Sequence, residues 1–134
     1  MVSPVMKSLR NITRLLALIP ILTGIVTLLG VQDPIYKAAL SSAPPVLDSN
    51  LRFFGGLWLA LGLMLMWASS DLDQNASLFR FAWFGIFLGG IGRMISIVSV
   101  GLPPLPFVLF TILEIVGAPL FLMWHAKLLR HTRS

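Results

Sequence analysis

Apolar residues along the chain gather into four long runs: Leu15–Val31, Leu51–Ala68, Leu78–Val100 and Phe107–Trp124, each of 17 or more residues. Polar or proline-rich stretches separate them. A helix rises ~1.5 Å per residue and a hydrocarbon core is ~30 Å thick, so each run is long enough to cross a bilayer. Backbone amides find no water partner in lipid, so a crossing segment is either helical or part of a closed barrel. Barrel strands alternate apolar and polar positions, and these runs do not. The pattern predicts an all-α integral membrane four-helix bundle, up-down-up-down, formed by one transmembrane domain over residues 1–134. Residues 1–14 and 125–134 are basic tails, the former read as a cytoplasmic lead with a short helix in the interface.

The connectors refine this picture. Residues 32–50 form the longest loop, placed outside the cytoplasm. Within it, Asp33-Pro34 is a good helix start, with Asp as N-cap and Pro at the first helical position, and Pro44-Pro45 ends that element. The loop reads either as a functional element or as a lid tracking between two helix ends. Pro20 removes a backbone bond inside the first run and predicts a bend there. Thr13, Pro20, Gly24 and Thr27 fall near one stripe and suggest a packing face. The link Gly101–Pro106 is short and stiff, which makes spans 3 and 4 an antiparallel hairpin.

Composition points the same way. Of 134 residues, 57% are hydrophobic and 11% charged, against about 45–50% and about 25% in an ordinary soluble domain. Mean hydropathy is +0.90. These values exclude a soluble enzyme, a disordered tail and a nucleic-acid module. The net charge of +5 is explained by its placement: Lys7, Arg10 and Arg14 precede the first span, and Lys127, Arg130 and Arg133 follow the last. That is the positive-inside pattern, which puts both termini in the cytoplasm and the chain in the inner (plasma) membrane. Membrane lipids are expected partners, with anionic headgroups facing the basic tails. A basic lead before an apolar run also describes a signal peptide. Leu15–Val31 is longer than such a region, and the nearest small-residue site, Ser41-Ser42-Ala43, lies well past it. A retained helix is expected. The chain has no cysteine, which excludes disulfides and thiolate ligands.

Two ionisable residues sit well inside apolar runs: Arg93 and Glu114. A charge at mid-bilayer costs ~2.5–3.5 kcal/mol on insertion scales, so such groups usually face the bundle and pair. The hairpin centre falls between Pro103 and Pro104, equidistant from Arg93 and Glu114, so the two lie at equal depth. Gly85, Gly89 and Arg93 step by four and Ser96 follows, placing small residues on that face. Pro119 leaves the Ile115 carbonyl without its helical donor. The pair reads either as a register device between two helices or as the floor of a polar cavity. Arg52, with Asp48 one turn before it, is expected either to join that cavity or to snorkel to phosphates. Gly55, Gly56 and Gly62 form a second small-residue face for helix packing. Trp67 and Trp124 read as interface anchors, and His125 and His131 as solvated. No metal site, phosphate loop or nucleophile elbow is found, and no cofactor is expected.

Asn50-Leu-Arg-Phe-Phe-Gly-Gly56, then Leu88-Gly-Gly-Ile-Gly-Arg93-Met-Ile-Ser96, then Glu114 with Pro119, resemble a set of small bacterial four-helix membrane proteins of unknown function. The resemblance covers roughly residues 48–124. It implies a four-helix bundle with Arg52, Arg93 and Glu114 as signature positions, and no activity. A more distant similarity, of architecture alone, is to DoxX-like proteins, some of which associate with quinone-linked oxidoreductases. Two functions follow as expectations. One is a non-enzymatic subunit that associates with other membrane proteins or with itself. The other is a binder or carrier of a small amphipathic molecule (lipid, quinone or isoprenoid) around Arg52, Arg93 and Glu114. Catalysis ranks third, since no nucleophile or cofactor ligand accompanies Glu114.

Overall fold

The structure is a computed structural model that describes residues 4–40, 42 and 44–133, with side chains as far as residue 130. Ser41, Ala43 and the side chains of His131 and Arg133, singled out in the sequence, lie outside the described residues. The described chain is helical and contains no strand. Its elements are α1 (Pro4–Thr27), a 3-10 turn (Gly30–Gln32), α2 (Pro34–Ala39), α3 (Pro45–Ala68), α4 (Ala76–Val100), α5 (Leu105–Ile112), a π turn (Leu113–Gly117) and α6 (Ala118–Arg133). Four helices are long and apolar enough to cross a membrane: α1, α3, α4 and the continuous helix Leu105–Arg130. Contacts divide the chain into two compact units, Arg10–Ser70 and Asp71–Ser134 with Met1–Leu9.

In the Arg10–Ser70 unit, α1 and α3 run antiparallel with their backbones in contact. A Cβ placed on Gly24 would lie 2.6 Å from the Leu59 amide nitrogen, and one on Gly62 would lie 2.8 Å from that of Ile21. Gly55 meets Thr27 and Leu28 in the same way. Glycines at these crossings let two helices approach more closely than any side chain permits, which is how helices gain dispersion energy where lipid is as apolar as protein. Gly56, by contrast, meets only the tip of Leu28, at 3.8 Å. Polar bonds flank the seam: Arg14 Nε donates to Ser69 Oγ at 3.1 Å, and Trp58 Nε1 donates to Thr23 Oγ1 at 2.8 Å.

The ends of these helices differ from the hydropathy runs. The basic lead and the first span are one helix from Pro4, and it stops at Thr27, four residues before the apolar run does. The stop is set by Gly30, whose φ of +64° is left-handed, a conformation open to glycine at little cost. Asp33 caps α2 as expected, accepting from the Ile35 amide at 3.0 Å, with Pro34 at the first helical position. Pro44-Pro45 does not close α2. Pro45 opens α3 instead, because a proline at the first helical position gives up an amide that has no intrahelical partner.

In the Asp71–Ser134 unit, α4 packs antiparallel against α5, the π turn and α6. Phe79, Ala82, Trp83, Ile86 and Gly90 are the buried residues of α4. Their spacing of three and four marks one helix face. Trp83 stacks on Phe121 with centroids 4.5 Å apart and planes 7° from parallel, and Phe79 lies 4.5 Å from the His125 ring. His125 is therefore not solvated: it is fully buried, and its Nε2 lies 2.8 Å from the Leu72 carbonyl oxygen. That carbonyl can only accept, so Nε2 carries the proton. The bond ties α6 to the turn 71–75, where Asp71 accepts from the amides of Asp73 and Gln74.

Candidate functional site

Arg93 and Glu114 meet. Arg93 Nε lies 3.2 Å from Glu114 Oε1 in hydrogen-bonding geometry and 2.9 Å from Oε2 as an ion pair. The Glu114 side chain is 6% exposed and that of Arg93 36%. Oε2 is buried and receives no hydrogen bond among the described residues. The guanidinium touches the carboxylate through Nε alone, and its carbon stands 5.5 Å from the Phe107 ring centroid, within cation–π range. Both terminal nitrogens of Arg93 are left without a hydrogen bond to the described residues. The site is thus a neutral pair with spare donors on one partner and a spare acceptor on the other.

The sequence builds this geometry through Pro119. Proline has no amide proton to give the preceding turn, and its ring crowds the carbonyl four residues back. The helix relieves this with a π turn over Leu113–Gly117, in which the Ala118 amide donates to the Leu113 carbonyl. Glu114 sits in that turn. Such single π turns recur at functional sites. Opposite it, a Cβ on Gly90 would come within 2.8 Å of the Glu114 Cβ, so α4 presents bare backbone where the carboxylate side chain leaves its helix.

Other expected members are placed differently. Ser96 is exposed and its hydroxyl makes no hydrogen bond among the described residues. A Cβ on Gly89 would meet nothing within 4 Å, so the α4 glycine that packs in this unit is Gly90 rather than Gly89. The cause is the phase of Arg93, which lies at the border of the buried face. Stepping back by four from it reaches the open side, and stepping back by three reaches the packed one. Gly92 is likewise open, and Gly85 is half-buried.

Arg52 and Asp48 belong to the Arg10–Ser70 unit, where they pair with each other. Arg52 Nε lies 2.7 Å from Asp48 Oδ2, four residues earlier on α3. Arg52 Nη1 donates to the Leu28 carbonyl at 3.0 Å, and Asp48 Oδ1 accepts from the Val31 amide at 3.0 Å. A Cβ on Gly30 would collide with that carboxylate. The two side chains therefore clasp the orphan carbonyl end of α1 and the turn behind it. Asp33 adds to the clasp by accepting from Thr27 Oγ1 at 3.3 Å. Among the described residues, no three His, Asp or Glu side chains converge as metal ligands would.

No curated protein and no solved structure matches the chain. A family model does, over residues 8–125, a longer stretch than the one that carried the resemblance in the sequence. Because that match reaches into all four long helices, the chain belongs to the family described as Domain of unknown function (DUF4345).

Proposed function

We propose that the chain is a four-span inner-membrane protein, up-down-up-down with both termini in the cytoplasm, that serves as a non-enzymatic accessory or self-associating subunit. The observation that carries this reading is the open side of α4. Gly89 and Gly92 meet nothing within 4 Å, whereas Gly24, Gly55 and Gly62 are all closed by backbone contacts. With half-buried Gly85 and exposed Ser96 they step by four, three and four, the spacing of a small-residue seam for a helix from another copy or another protein. The basic residues in the first half of α1 (Lys7, Arg10 and Arg14) and at the end of α6 (Lys127 and Arg130) support the orientation. Because the chain has no cysteine, Ser96→Cys provides a clean test. Oxidation in native membranes should yield a cross-linked dimer or a defined larger adduct, while Phe54→Cys, an exposed position on α3, should not. Equal trapping at both sites, or none at Ser96 with a monomeric mass in mild detergent, sinks the reading.

A second reading is favoured by the unfilled bonds of Arg93 and Glu114: a small amphipathic molecule with a neutral polar head (a lipid, quinone or isoprenoid) binds at the pair. The spare donors of Arg93 suit a carbonyl or hydroxyl oxygen, and Phe107 offers an apolar wall. A co-purified hydrophobic molecule that is lost in Glu114→Gln supports this reading, and an identical small-molecule profile in both proteins counts against it.

A further inference from the structure

The first three turns of α4 carry a polar feature that neither reading uses. Ser77, Arg80, Phe81 and Phe84 follow at helical spacing and, with Leu122 of α6, line an open cleft of about 460 Å³. This face lies away from the one that buries Phe79, Trp83 and Ile86. Arg80 is exposed, and among the described residues its guanidinium makes no ion pair and no hydrogen bond. Phe81 is 72% exposed and Phe84 50%.

The cleft therefore joins a cation and a hydroxyl to an aromatic and aliphatic wall. A guanidinium matches the paired oxygens of a phosphate, and an unpaired one favours a ligand with net negative charge. A free phosphate ion would use Arg80 and Ser77 and leave Phe81, Phe84 and Leu122 facing nothing. A phospholipid uses both halves, with its phosphate on the polar pair and an acyl chain along the wall. We propose that this cleft binds an anionic phospholipid, its headgroup on Arg80 and Ser77 and one chain along Phe81, Phe84 and Leu122. The site rests on the membrane-spanning reading but not on the α4 seam or on Arg93 and Glu114, so it can fail while those stand.

The test is native mass spectrometry of the full chain in nonionic detergent, titrated with phosphatidylglycerol or with phosphatidylcholine of the same acyl chains. One near-surface arginine changes the affinity for anionic lipid by about fivefold. Wild type should prefer phosphatidylglycerol by about that factor, and Arg80→Gln should erase the preference while Arg80→Lys keeps most of it. Phe84→Ala should weaken both lipids alike. Melting of each variant without lipid shows that the fold survives, as expected for exposed positions. A preference that persists in Arg80→Gln assigns it to the basic tails and overturns the site. Competition by millimolar inorganic phosphate overturns the lipid as occupant.

Discussion

The two antiparallel helix pairs of this chain are closed by opposite means. Between α1 and α3 the contact is backbone on backbone at Gly24, Gly55 and Gly62, and the charged groups stay near the ends of α3, Arg14 beside Ser69 at one and Asp48 with Arg52 towards the other. Between α4 and the last helix the contact is made by bulky rings, Trp83 on Phe121 and Phe79 by His125, and a charged pair sits well inside the hairpin. The first pair shows that this sequence can close a hairpin with no ions in the middle. Packing alone therefore does not account for Arg93 and Glu114. Their presence is better explained by what the pair can bind or by the register it enforces.

The largest expected effect lies at the ion pair. Arg93→Ala leaves a buried carboxylate, its side chain 6% exposed, without its cation, and should cost about 3 kcal/mol of unfolding free energy in denaturant titration. Arg93→Ala with Glu114→Gln should regain most of that loss. If the double variant is no better than the single, the pair does not hold the hairpin.

Next in size is the glycine seam. Gly24→Ala pushes a methyl against the Leu59 amide, which cannot rotate away, and should cost about 1–3 kcal/mol. Gly89→Ala faces open space and should leave unfolding within about 0.5 kcal/mol of wild type, while lowering the cross-linking yield at residue 96. A large destabilisation by Gly89→Ala would erase the contrast between closed and open glycines. Gly30→Ala adds to a left-handed backbone cost of about 1–2 kcal/mol a collision with the Asp48 carboxylate, read as a lowered melting temperature. The smallest effect belongs to Asp48→Ala, which should speed hydrogen exchange at the Val31 amide with little change in global stability.

Much of this was legible in the sequence because hydropathy and hairpin symmetry are robust signals. The four long helices, the Asp33 cap and the equal depth of Arg93 and Glu114 follow from run length, local capping chemistry and a short prolyl link. What was not legible depends on phase and on burial. A long arginine at the edge of a helix face does not say which neighbouring glycine is packed: the step of four points to Gly89, and the packed residue is Gly90. His125 stood among basic residues, and nothing local revealed that it folds back onto the Leu72 carbonyl. The π turn had one visible cue, Pro119 following Gly117 inside an apolar run, but a proline there predicts a lost hydrogen bond without saying how the helix will accommodate it.

The last of the four helices long and apolar enough to cross a membrane is also longer than a bilayer requires. Leu105–Arg130 is 26 residues long, which at ~1.5 Å per residue is roughly 39 Å, well beyond a hydrocarbon thickness of ~30 Å. The excess is met by tilting or by carrying Lys127 and Arg130 clear of the headgroups, each at a modest cost per ångström of mismatch. The chain should therefore be sensitive to bilayer thickness. Reconstituted in phosphatidylcholines of increasing acyl length, it should be most stable in the thicker membranes, where the last helix can stand closest to upright.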